Sequence, residues 1–81
     1  MDFNGMLIII RYDGSDNVFS TIEDRIEFFE GDAVGEILNS DGHYIEAFFT
    51  CENSWHAFIS HYGRHYDMRI MGRTTRWISM R

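Results

Sequence analysis

The sequence predicts an α+β two-layer sandwich, an antiparallel sheet of four to five strands with two helices on one face. Three observations carry that expectation. Two stretches place apolar residues at helical spacing. Several short stretches are apolar and rich in β-branched or aromatic residues. Glycines and Asx-rich tetrapeptides punctuate the joins. The resulting order is the βαββαβ of the split-βαβ, ferredoxin-like plan, with an extra C-terminal strand.

Each element has its own signal. Leu7–Tyr12 (LIIIRY) is apolar on both faces until Arg11 and closes on Asp13-Gly14-Ser15-Asp16, which predicts a central strand and a turn. Ser20-Thr21-Ile22-Glu23 has the form of a capping box, and Val18 and Phe19 are placed to staple the helix start. Ile22, Ile26 and Phe29 follow at i, i+4 and i+7, with Gly31 as the stop. Ala33–Leu38 reads either as more helix or as the first strand of a hairpin turning at Asn39-Ser40-Asp41-Gly42; the Asp-Gly pair favours the hairpin.

His43–Cys51 is then a strand with His43, Ile45, Ala47, Phe49 and Cys51 on one face and Tyr44, Glu46, Phe48 and Thr50 on the other. Asn53 or Ser54 is placed to cap a second helix whose stripe is Trp55, Phe58, Ile59 and Tyr62 and whose end is Gly63. Asp67–Met71 and Arg76–Met80 read as strands of a final hairpin about Gly72-Arg73-Thr74-Thr75.

Length and composition set bounds. Eighty-one residues make one domain, 1–81, and 44 % hydrophobic content is too apolar for disorder. Cys51 is the single cysteine, so the fold needs no internal disulfide. The apolar run Met6–Ile10 is shorter than a secretory signal core or a membrane span, and a cytoplasmic protein with no membrane partner is the expectation.

Charge is divided along the chain. Residues 1–60 hold twelve acids and two arginines, a formal −10. Residues 61–81 hold Asp67 and five arginines, a formal +4, giving the net −6. There is no lysine. An acidic body with an arginine-only end suits a protein that meets a charged partner.

Four groups of residues carry chemistry-bearing side chains at suggestive spacing. Cys51, His56, His61 and His65 are all zinc-competent, but C-x4-H-x4-H-x3-H matches no familiar zinc motif. Five-residue spacing also turns His56 and His61 roughly 140° apart on a helix; solvent-facing histidines and a small core cysteine are the plainer reading, and no metal or cofactor is expected. Asp13, Ser15, Asn17 and Phe19 alternate as in a calcium loop, yet Val18 occupies the place that needs glycine, so a polar turn is expected.

The third constellation is Glu23, Glu27 and Glu30, widened by Asp24 and Asp32 and balanced locally by Arg25 alone. Carboxylates one helical turn apart repel one another and are about 5–6 Å apart, a spacing comparable with nucleic-acid phosphates. A solvated helix face is the plain reading and a phosphate-mimicking face the sharper one. The fourth is the basic end, Arg69, Arg73, Arg76, Trp77 and Arg81, where arginine beside an aromatic suits stacking on bases or gripping phosphate. Tyr44 and Phe48 join that platform if they point outward. The plainer reading has Trp77 in the core and the arginines neutralising the acidic body.

No nucleophile elbow or phosphate-cradling glycine loop is present, so no enzyme is expected. The expected function is that of a small acidic binding protein, an inhibitor docking on a basic nucleic-acid-handling protein. In character it is similar to phage counter-defence proteins of the anti-CRISPR and anti-restriction kind, or to nuclease immunity proteins. The alternative is a small nucleic-acid-binding module using the arginine-rich end. Self-association, head-to-tail or through a strand edge, is a third reading.

Overall fold

The computed structural model describes residues 2–77. Their order is β1 (Asp2–Tyr12), α1 (Asp16–Phe28), β2 (Asp32–Asn39), β3 (Gly42–Phe49), α2 (Glu52–Tyr62) and β4 (Met68–Trp77). The four strands form one antiparallel sheet in the order β2-β3-β1-β4, so the architecture is α+β.

β1 is central, as its two-sided apolarity predicts, but it begins five residues sooner than Leu7. Its first half is a strand because β4 supplies a partner, from Asp2↔Trp77 to Met6↔Arg73. Met6, Ile8, Ile10 and Tyr12 face the helices, joined there by Ile22, Ile26, Ile45, Ala47, Phe49, Trp55 and Phe58. Leu7 and Ile9 point to the opposite face with Tyr44 and Phe48, flanked by Phe3, Val34 and Ile37. Complete burial of side chains such as Phe48, Phe49 and Phe58 contributes roughly 1.5–3 kcal/mol each, so the sheet itself anchors both layers.

The start of α1 departs from expectation. Ser15, not Ser20, is the N-cap: its Oγ accepts the Val18 N–H at 3.3 Å, while Asp13 Oδ1 accepts the Ser15 N–H at 2.9 Å. That Asx turn reverses the chain directly after β1, so Val18 and Phe19 enter the first helical turns and pack on the core instead of stapling it from outside. The same turn disposes of the calcium-loop pattern, because Asp13 and Ser15 build the cap.

The other end of α1 closes with paired bonds, Glu30 N–H to Glu27 O and Gly31 N–H to Ile26 O, both 2.9 Å. Glu30, φ +63°, takes the left-handed position that Gly31 was expected to supply. Gly31 is required for space: a Cβ there would lie 2.5 Å from the Phe49 ring.

The hairpin reading of 33–38 holds. Asn39 pairs with Gly42 around Ser40-Asp41, and β3 alternates with Ile45, Ala47 and Phe49 toward the helices. An extra residue at Val34 makes a bulge between Ala33 and Gly35. α2 starts earlier than Asn53, with Cys51 as N-cap, and presents Trp55 and Phe58 inward. Cys51 is exposed, not a core residue.

The last hairpin is a correction. Met68–Trp77 is one strand, and no fifth strand forms among the described residues. β1 is long enough to pair with all of it. Gly72 falls where β4 has two residues against Leu7 alone, between Ile8↔Ile70 and Met6↔Arg73, so it serves a bulge instead of a turn. Residues 78–80 of the expected strand, and Arg81, lie outside the described residues. No described helix is long and apolar enough to cross a membrane.

Candidate functional site

α1 turns its apolar stripe, Val18, Ile22, Ile26 and Phe29, onto the sheet and α2. A 3.6-residue period then sends Glu27 and Asp24 to the far side, with Glu23 at the flank. Asp24 and Glu27 are exposed and Glu23 is half-buried. Glu30 is exposed too, but its left-handed backbone removes it from the helical spacing of Glu23 and Glu27. Asp32 begins β2 and has an interaction of its own.

The ion pairs of the described residues lie elsewhere: Arg76 Nη2 to Glu46 Oε2 at 2.6 Å, Arg73 to Glu52 at 3.9 Å and His43 Nδ1 to Glu36 Oε1 at 3.9 Å. None engages Glu23, Asp24, Glu27 or Glu30. The cation nearest in sequence, Arg25, is engaged by aromatic side chains instead. Its guanidinium carbon lies 5.1 Å from the Tyr62 ring centroid and 5.7 Å from that of Tyr66, and Nη1 donates to the Tyr66 hydroxyl. Aromatic faces attract a guanidinium by their quadrupole, and here they hold its charge between the helices.

Beside this contact Asp24, Arg25, Phe28 and Tyr62 line a groove of about 310 Å3. Phe28 is 83 % exposed. Phe28 is not among the expected site residues, yet it lies off the Ile22/Ile26/Phe29 stripe, so an amphipathic helix sends it outward.

The basic end is divided. Arg69 pairs with Ile9 and Arg76 with Phe3, which puts both on the face without helices. Arg69 lies 5.9 Å from the Tyr44 ring. Arg73 pairs with Met6 and stands on the helix-bearing face near Glu52. Trp77 ends β4, and its side chain is outside the described part. Tyr44 and Phe48 do point to the open face, but they are only 7 % and 0 % exposed, so their rings are covered.

The histidines and the cysteine spread apart. His56 is edge-on to Trp55, His61 lies against Phe29 and Tyr62, and His65 against Tyr62. Among the described residues no three His, Cys, Asp or Glu side chains converge on a metal position. The Cys51 thiol makes no full capping hydrogen bond, yet the Ser54 backbone and hydroxyl and the Asn53 N–H around it lower its pKa.

One polar cluster had no sequence signal, because its members come from three strands. Tyr12 donates to Glu36 Oε1, and His43 sits edge-on to the Tyr12 ring at 5.8 Å. Burial first, and then the Glu36 hydrogen bond and charge, push Tyr12 up to about 12. Asp13 is held below the usual carboxylate range chiefly by the Ser15 backbone and hydroxyl, with His43 adding a small part. No protein-family model, curated protein or solved structure matches the chain.

Proposed function

We propose that this chain is a small, non-enzymatic acidic binding protein whose α1 face docks on a basic, nucleic-acid-handling protein and inhibits it. One observation carries the reading: Glu23, Asp24, Glu27 and Glu30 have no ion-pair partner among the described residues, while Arg25, the cation best placed to neutralise them, is held on Tyr62 and Tyr66. Like charges one turn apart weaken a helix by a few tenths of a kcal/mol, a cost that a cationic partner reverses. In small size and acidic character the chain is similar to phage counter-defence and nuclease-immunity proteins, and the order β2-β3-β1-β4 supports reading the scaffold as the ferredoxin-like plan.

The test uses wild-type chain and an E23R/E27R/E30R variant, both immobilised. Basic nucleic-acid-handling proteins retained by the wild type at low salt are to be lost from the variant, with affinity weakened on the order of 100-fold, and displaced by duplex DNA. Equal retention by the variant, or indifference to duplex, sinks the proposal. The alternative, nucleic-acid binding through Arg69, Arg73, Arg76, Trp77 and Arg81, has less support, because the described arginines occupy both faces and Arg76 is held by Glu46. Anisotropy titration with labelled single-stranded DNA and RNA decides it.

A further inference from the structure

The two edges of the sheet are chemically opposite. β2 pairs only with β3 and β4 only with β1, so each turns a row of backbone N–H and C=O groups outward with no described strand beside it. β2 carries Asp32 and Glu36 and no basic residue, a formal −2; β4 carries Arg69, Arg73 and Arg76 and no acid, a formal +3. The edges also hold exposed apolar side chains, Leu38 on β2 and Ile70 on β4, 70 % and 53 % exposed. Leu38 pairs with His43 and Ile70 with Ile8, so both stand on the helix-bearing face.

Strand direction completes the match. Each neighbouring pair is antiparallel, so in a four-stranded sheet the two outer strands run oppositely. A second copy displaced along the sheet brings its β2 beside β4 of the first in the antiparallel sense.

We propose that the occupant of the β4 edge is β2 of a second copy of this chain, added as the next strand of a continuous sheet. Setting Leu38 beside Ile70 also sets Glu36 beside Arg73, because the β4 bulge inserts one residue between Ile70 and Arg73. Both pairs fall on the helix-bearing face, since Glu36 pairs with Ile45 and Arg73 with Met6. Two-fold pairing of β2 with β2, or of β4 with β4, sets like charges together and is disfavoured. The head-to-tail contact therefore does not stop at a dimer; it continues as a chain or closes as a ring. Bulges at Val34 and Gly72 shorten the uninterrupted ladder, so the junction is weak and salt-sensitive.

Sedimentation of the whole chain tests this at ionic strengths of about 0.01 M and 1 M, where the screening length falls from about 30 Å to about 3 Å. The expected result is a weight-average mass that passes the dimer as concentration rises at low salt and returns to the monomer at high salt. R73E and E36R are each to remain monomeric, and their equimolar mixture is to assemble again. Because Glu36 also accepts the Tyr12 hydroxyl, Leu38→Lys is the second variant, weakening the same junction from an exposed position. The E23R/E27R/E30R variant keeps self-association, which separates this contact from docking through α1. A monomer at low salt up to about 1 mM, assembly that stops at the dimer, or an R73E variant that assembles like wild type overturns the proposal.

Discussion

Arg25 holds its guanidinium over the Tyr62 ring, 5.1 Å from the centroid, and Asp24 on the same helix has no ion pair among the described residues. The contact joins α1 to α2 and the loop after it, because the same guanidinium donates to Tyr66. It is thus a structural link between helices. Arg25→Ala is expected to lower stability by about 1–2 kcal/mol, the sum of a partly desolvated cation–π contact and a hydrogen bond. In a domain of this size that is roughly 4–8 °C in Tm per kcal/mol, measurable by thermal circular dichroism. Tyr66→Phe, which keeps the ring, loses only the hydrogen-bond share. If Arg25→Ala is silent, the guanidinium does not link the helices.

Glu30 and Gly31, the two residues after the C-cap Phe29 of α1, give an opposed pair of outcomes. A non-glycine residue in the left-handed region is strained by roughly 1–2 kcal/mol, of which the conformational entropy of glycine returns part. Glu30→Gly is therefore expected to stabilise by about 0.5–1 kcal/mol. Gly31→Ala is expected to destabilise, since its Cβ would sit 2.5 Å from the Phe49 ring. Urea midpoints with unchanged m-values measure both. Stabilisation by Gly31→Ala would show that Gly31 is not needed for space.

Side-chain periodicity made the layers legible. Ile22, Ile26 and Phe29, Trp55 and Phe58, and the alternation through β3 each name the face they bury, because burial repeats with the backbone period. What stayed hidden depends on partners distant in the chain. Ser15 and Ser20 are both competent caps, and only the Asp13 turn and the packing of Val18 and Phe19 select Ser15. Gly72 reads equally well as turn or bulge until β1 is known to extend back to Asp2. The exposure of Asp24 and Glu27 on α1 follows from helical spacing, whereas the left-handed turn that takes Glu30 off that stripe does not. The contact of Arg25 with Tyr66 was not legible either, because Tyr66 lies 41 residues on.

Tyr12 gives a pH signature with a definite sign. Its pKa is raised in the folded chain, from the ordinary 10.0 to about 12, so its favourable contribution is complete below pH 10 and is lost as pH rises through about 12. The wild-type minus Tyr12→Phe absorbance difference for phenolate is expected to titrate near 12. Glu36→Gln is expected to bring the midpoint down only part of the way, because burial is the larger cause. A difference spectrum that titrates at 10 would mean that the Tyr12–Glu36 contact does not persist in solution.

Adjacent phenylalanines at the end of α1 test which aromatic surface is structural. Phe29 is half-buried, with Phe58 and Tyr62 edge-on at 5.7 and 5.8 Å, so Phe29→Ala removes packing on two sides and is expected to cost more than about 2 kcal/mol. Phe28 points into solvent over the groove shared with Asp24 and Tyr62; Phe28→Ala is expected to change stability by no more than about 0.5 kcal/mol. The same substitution is expected to weaken a partner captured through Glu23 and Glu27 by roughly tenfold or more, because an exposed aromatic on a helix whose carboxylates have no ion pair among the described residues supplies an apolar anchor within a charged rim. Urea denaturation together with partner titration separates the two effects. A Phe28→Ala chain that unfolds like Phe29→Ala would place Phe28 in the core, and one that binds like wild type would confine the contact to the carboxylates.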